Sequence, residues 1–137
     1  MRASKKYECV LVISDLHIPY HHPESFDFLK AIKKKYKDID LCVNIGDELD
    51  QHALSFHDTD PDLPSAGDEL QISRNYIKEL EKMYPEMVLL HSNHSSLIYR
   101  RALKHGMPKA YLKSYNDFLD VGPGWELSIG LYPGLLI

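Results

Sequence analysis

The stretch Cys9-Val-Leu-Val-Ile-Ser-Asp-Leu-His17 decides the fold. Its first five residues are a continuous apolar run rich in β-branched side chains. A run that short, apolar on both faces, predicts a central strand of a parallel sheet. It then breaks into Ser14, Asp15 and His17. Two further runs repeat the arrangement. Ile39–Ile45 is followed by Gly46-Asp47-Glu48-Leu49-Asp50, and Met87–Leu90 by His91-Ser92-Asn93-His94.

The segments between these strands carry helical spacing. Phe26, Leu29 and Ile32 mark a helix from Pro23 to Tyr36, with proline at its start. Leu70, Ile72, Tyr76, Ile77, Leu80 and Met83 give an apolar face from about Gly67 to Tyr84. Ser65 caps that helix and Pro85 ends it. Ser95–His105 predicts a third helix, closed by Gly106, and Pro108–Leu119 a fourth. Gln51–Pro64 reads as a long polar loop with one helical turn around Ala53–Phe56. The tail from Val121 is punctuated by glycine and proline and has strand character only in pieces.

The order is β-α-β-α-β, with steps of about 30 residues. It predicts an α/β fold in which a parallel sheet is flanked by helices, in one domain over residues 1–137. Composition fits this reading. Hydrophobic residues make up 44% and charged residues 26%, the balance of a globular domain. Cys9 and Cys42 both lie in apolar runs and read as core thiols of a reducing compartment. No apolar stretch reaches the ~20 residues needed to span a bilayer, and Met1–Lys6 does not lead into a signal peptide. The cytoplasm is the expected location, with no membrane partner. The net charge of −4 offers no general attraction for phosphate, so a phosphate site would need a local positive charge. No Gly-x-Gly-x-x-Gly follows the first strand, which argues against a nucleotide-binding Rossmann domain.

In parallel sheets, ligands bind beyond the carboxyl ends of the strands. Three polar clusters follow three strands at the same short distance, and their residue types suit a metal. Asp15 and His17 are two apart, so in extended backbone they point the same way. A carboxylate and an imidazole together suit a first-row divalent ion. Asp47 could bridge two ions, and Gly46 lets the chain turn sharply before it. Asn93 offers a neutral oxygen, and His94 beside it a proton. Bound cations would supply the charge that the composition lacks.

Asp15-x-His17, Gly46-Asp47-x-x-Asp50 and Asn93-His94 resemble the first three signature blocks of the calcineurin-like metallophosphoesterases. The resemblance spans about residues 9–105 and implies the first half of a two-sheet sandwich. It implies Asp15 and His17 on one ion, Asp47 as the bridge, Asn93 on a second ion, and His94 as the catalytic histidine near the leaving group. Asp50 would support the site. The implied cofactors are two divalent ions, Mn²⁺ first, with Fe²⁺, Zn²⁺ or Ni²⁺ as other fits. The implied reaction is hydrolysis of a phosphate mono- or diester: a nucleotide, a nucleic acid or a phosphoprotein.

Two features depart from the family. Serine stands at position 92 where the third block usually has glycine, and serine again follows His94 where it has an acid. The family's later histidine and Gly-His-x-His blocks have no counterpart, because no histidine follows His105. The expected alternative is therefore a catalytically incomplete module that binds metal or protein. The half-built sheet and the apolar tail Leu131–Ile137 predict a homo-oligomer, with Val121–Ile137 at its interface. Elsewhere the expectations are plain. His21 and His22 should be solvent-exposed, His91 a satisfied buried histidine, and Arg100-Arg101 a solvated helix face that starts close enough to the site to approach a phosphate. His52 and His57 are the spare ligands.

Overall fold

A computed structural model describes residues 7–128. Met1–Lys6 and positions 129–137, the larger part of the expected interface segment Val121–Ile137, lie outside the described residues. Four strands, β1 (Val10–Ile13), β2 (Leu41–Asn44), β3 (Met87–Leu90) and β4 (Trp125–Ser128), form one parallel sheet in the order β1-β2-β3-β4. The connecting helices are α1 (Ser25–Lys35), α2 (Ala66–Met83), α3 (Leu97–Lys104) and α4 (Tyr115–Leu119). The chain is thus an α/β fold. Among the described residues, no helix is long and apolar enough to cross a membrane.

The strands bury one face. Ile13, Cys42, Asn44, Met87, Leu89 and Trp125 alternate inward against a core that includes Phe26, Leu29, Ile77, Leu80, Tyr115 and Leu119. On the other face Val10 is 45% and Val12 57% exposed, and Ile45 just past β2 is 49% exposed. The first strand is therefore an edge strand with one open face, not a central strand covered on both. Cys9 is correspondingly half-buried rather than in the core, while Cys42 is 1% exposed.

The helix signals act as expected at α2. The Ser65 hydroxyl accepts the Asp68 amide, and Asp68 and Glu69 place negative charge on the first turn. Gly106 takes φ +76° after α3. The segment Pro108–Leu119 is not one helix. A 3₁₀ turn at Lys109–Tyr111 is followed by the five-residue α4, whose cap Ser114 accepts the Asp117 amide. A capping serine competes for backbone hydrogen bonds and so divides the segment.

The tail also differs. Trp125 opens a full fourth strand, and its indole Nε1 donates to the Tyr84 carbonyl at 2.9 Å. A Cβ on Gly124 would sit 2.1 Å from the Pro85 carbonyl oxygen, so only glycine lets β4 close on the end of α2.

His21 is not a solvated loop residue. Its ring packs edge-on against Phe26 at 5.0 Å and Tyr76 at 4.4 Å, and its Nδ1 is buried without a hydrogen-bond partner. Burial lowers its pKa, against a smaller opposite pull from Glu79. The unfolded chain therefore binds this proton more readily than the folded one. The stability contributed by neutral His21 is present above about pH 6.5 and is lost as pH falls through that value toward the lower folded pKa. His21→Phe keeps the aromatic contacts and should flatten the acid limb of a pH–stability curve from chemical denaturation. An unchanged limb would contradict this packing.

Candidate metal centre

The three polar clusters meet because their backbones are tied together. Past β1 and β2 the two chains continue side by side, with an isolated parallel bridge between Ile18 and Leu49. The Asp15 amide donates to the Gly46 carbonyl at 3.1 Å, His17 to Asp47 at 2.9 Å, and Ile18 to Glu48 at 2.9 Å. Ile18 is 0% and Leu49 2% exposed, so this extension is anchored in the core.

Asp15, His17, Asp47 and Gln51 have φ values of 52°, 49°, 54° and 54°. These are four of the five non-glycine residues at positive φ among those described, all around one point. Such backbone is costly and persists where surrounding structure enforces it, commonly at functional sites. Asp15 and His17 do not share a direction through extended backbone, as the spacing suggested. Left-handed turns at both residues bring them together instead, with His17 Nε2 3.8 Å from Asp15 Oδ1.

Gly46 turns at φ +109°, and a Cβ there would lie 2.4 Å from the Ser92 Cβ. The second and third clusters are pressed together at this glycine. Ser92 itself needs no glycine-like backbone, since it is not among the positive-φ residues. Its hydroxyl accepts the Asp47 amide at 3.1 Å and the Ser95 amide at 3.1 Å. Serine thus fixes the turn with its side chain, where glycine would do so through its freedom.

His17, Asp47 and His94 form the metal-competent group, with one ligand atom from each lying within 4.8 Å of the others. His17 Nε2 is 4.0 Å from Asp47 Oδ2. Two ligands of one ion, each about 2.1 Å from it, lie at most about 4.2 Å apart, so the His17–Asp47 pair fits one ion, and a spread of 4.8 Å would have to close by about half an ångström for all three to share it. The rings of His17 and His94 meet edge to face, with centroids 4.7 Å apart. The His94 amide donates to Asp47 Oδ1 at 3.3 Å.

Asp50 orients both imidazoles. Its Oδ1 is 2.8 Å from His17 Nδ1, and its main-chain oxygen is 2.5 Å from His94 Nδ1. A carboxylate and a carbonyl only accept, so both Nδ1 atoms carry the proton and both Nε2 atoms present lone pairs. This carboxylate–histidine arrangement fixes the tautomer that a metal ligand requires. Gln51 adds a bond from its Nε2 to the His94 carbonyl at 2.9 Å. Glu69 on α2 accepts the His52 and Ala53 amides at 3.1 and 3.4 Å, which pins the loop that follows Asp50.

Asp15 stands at the rim with its side chain 67% exposed, bonded by the Ser14 hydroxyl. Asn93 is exposed on the same turn as His94, and its main-chain carbonyl accepts the Ser96 hydroxyl at 2.7 Å. His91 is only half satisfied. Its Nδ1 meets Ser95 Oγ at 2.8 Å, its Nε2 is buried without a partner, and burial lowers its pKa. His52 Nε2 accepts the Asp60 amide at 2.8 Å, while His57 is exposed.

Beneath Asp47, the fully buried Glu48 accepts a hydrogen bond from Tyr115. Burial pushes the Glu48 carboxyl up to about 7 and the Tyr115 hydroxyl well above its ordinary value. The sequence gives no local signal for this pair, which is 67 residues apart. Nor does it signal the roles of Ser92 and Gln51. For Asp50, the family resemblance is the one pointer.

The orienting role of Asp50 can be tested separately from the ligands. Asp50→Ala frees the His17 ring while leaving every proposed ligand in place. Metal affinity should fall about 10–100-fold, the usual effect of losing such a support. Calorimetric Mn²⁺ titration checks it, and unaltered affinity would refute the orienting role. No family model, curated protein or solved structure matches the chain.

Proposed function

We propose that this protein is a metal-dependent phosphoesterase whose centre is built on His17, Asp47 and His94. The carrying observation is that three potential ligands from three strand ends converge within 4.8 Å, two of them oriented by Asp50. Imidazole and carboxylate donors suit Mn²⁺, Fe²⁺, Zn²⁺ or Ni²⁺. A divalent ion there would neutralise phosphoryl oxygens and make water more acidic, supplying the positive charge absent from a chain of net charge −4.

The chain's own residues then have distinct parts. Asp47, whose side chain at 18% is less exposed than those of Asp50 and Asp15, supplies the negative charge that holds cations at the centre. His17 supplies a fixed nitrogen. Asp15, at the rim with its Oδ1 3.8 Å from His17 Nε2, is the candidate to complete the coordination of an ion held by His17. Asn93, exposed on the same turn as His94, is the candidate for a second ion. His94 Nε2 faces the same space, where it can ligate, or when protonated give its proton to the leaving oxygen.

One observation favours a second reading, a metal-binding module without turnover. The convergent group supplies three donors, enough for one ion rather than two. Hydrolysis of an aryl phosphate by the full chain separates the two readings. The phosphoesterase reading expects turnover that depends on Mn²⁺ and is abolished by chelator. Stoichiometric metal binding with no turnover would establish the module.

A further inference from the structure

Away from the metal ligands, α3 and the loop after Asp50 build a feature that the centre does not use. Three cations crowd one ring. The Arg101 guanidinium lies 4.4 Å from the Phe56 centroid, with Arg100 and the Lys104 ammonium each at 5.0 Å. Arg101 is not the solvated residue its position suggested. Its Nε donates to the Leu54 carbonyl at 2.7 Å, and its Nη2 donates to the Ser55 carbonyl. It therefore serves as the strut that fastens the loop to α3. Arg100 and Lys104 are exposed, and Phe56 remains 38% exposed.

Among the described residues, none of the three cations is ion-paired with a carboxylate. The acids of the same loop, Asp58, Asp60 and Asp62, do not reach them. One cation would suffice to cover an aromatic face. Three within a Debye length of one another repel, and Arg100 and Lys104 stand at the unfavourable like-charge i,i+4 spacing. An arriving polyanion would relieve that repulsion.

The feature adjoins the centre at both ends. α3 begins three residues after His94, and the 3₁₀ turn His52–Leu54 follows Asp50. A second partly exposed aromatic, Tyr20, meets His52 edge-on at 6.3 Å, and its amide donates to the His17 carbonyl. Free cations beside exposed rings are the elements that grip single-stranded nucleic acid, through phosphates and bases respectively. A phosphopeptide would use the charges but not the rings.

We propose that Arg100, Lys104 and Phe56 bind a single-stranded nucleic acid, with phosphates on the two cations and a base against the exposed part of the ring. This rests on the phosphoesterase reading only in making the strand a substrate; the binding itself needs no metal. The test is fluorescence anisotropy of a labelled oligothymidylate of about ten nucleotides with the full chain in chelator. Wild-type affinity should fall with salt, with a logarithmic slope near −1.4 for two phosphate contacts. Arg100→Ala/Lys104→Ala should weaken binding about tenfold and bring that slope close to zero. Phe56→Leu should weaken binding severalfold with the slope intact, separating stacking from charge. Absent wild-type binding, unchanged affinity in both variants, or equal competition by a doubly phosphorylated peptide would overturn the proposal. Wild-type oligonucleotide binding without Mn²⁺-dependent aryl phosphate hydrolysis would instead remove the phosphoesterase reading and leave this one standing.

Discussion

Asp47→Asn should cost the protein its bound metal and its turnover together, with metal affinity falling by more than about 100-fold, beyond the loss of an outer support. Asp47 is the one carboxylate in the three-residue group, with Oδ2 4.0 Å from His17 Nε2 and Oδ1 receiving the His94 amide. Asparagine keeps the shape, tolerates the left-handed backbone at φ 54° and still accepts a hydrogen bond, so the fold survives. What it loses is the charge. His94→Ala should behave differently. Turnover should drop about 10²–10⁴-fold, the usual worth of a positioned proton donor, while most of the metal stays. Metal analysis of both purified variants, with rates on an aryl phosphate, checks the pair. Equal metal loss in the two would make His94 a ligand and remove its acid role.

Trp125→Ala should lower stability by about 3–5 kcal/mol, or roughly 10–20 °C in melting temperature. The indole is 1% exposed, belongs to the main core and donates to the Tyr84 carbonyl. Truncation opens a large cavity and orphans a buried acceptor beside the β3–β4 pairing. Thermal unfolding followed by circular dichroism measures it. A shift of only a few degrees would mean that β4 is a dispensable edge.

These two residues mark where sequence reading succeeds and where it stops. The three strand ends of the candidate centre were legible because each is a short apolar run broken by polar, ligand-type residues, a local pattern. The fourth strand was not. Gly122, Pro123 and Gly124 surround Trp125 with turn signals, and what makes the segment a strand is its pairing with β3, 38 residues away at Met87↔Trp125. The place of β1 was misread for a related reason. An apolar run shows that a strand can be covered on both faces, but strand order decides whether it is, and β1 lies at the edge.

Within the centre, which polar residues follow each strand was local information and their geometry was not; of the expected ligands Asp15, His17, Asp47 and Asn93, the converging group takes His17 and Asp47, with His94 as its third member. The left-handed turns at Asp15 and His17 come from backbone bonds to Gly46 and Asp47, about thirty residues on. The double hold of Asp50 on the two imidazoles likewise exists only once three strand ends are side by side. Ser92 lies on the same boundary: the residue is visible in the sequence, but that its hydroxyl accepts the Asp47 and Ser95 amides is not.

The central claim is that His17 and Asp47 hold a divalent cation in the space that His94 faces. Anomalous diffraction from a crystal grown with Mn²⁺, recorded near the manganese absorption edge, tests it most directly. The account predicts a peak within about 2.3 Å of His17 Nε2 and of an Asp47 carboxylate oxygen, with His94 Nε2 facing it. A manganese peak elsewhere, or none between these residues in crystals of the metal-saturated protein, would contradict it.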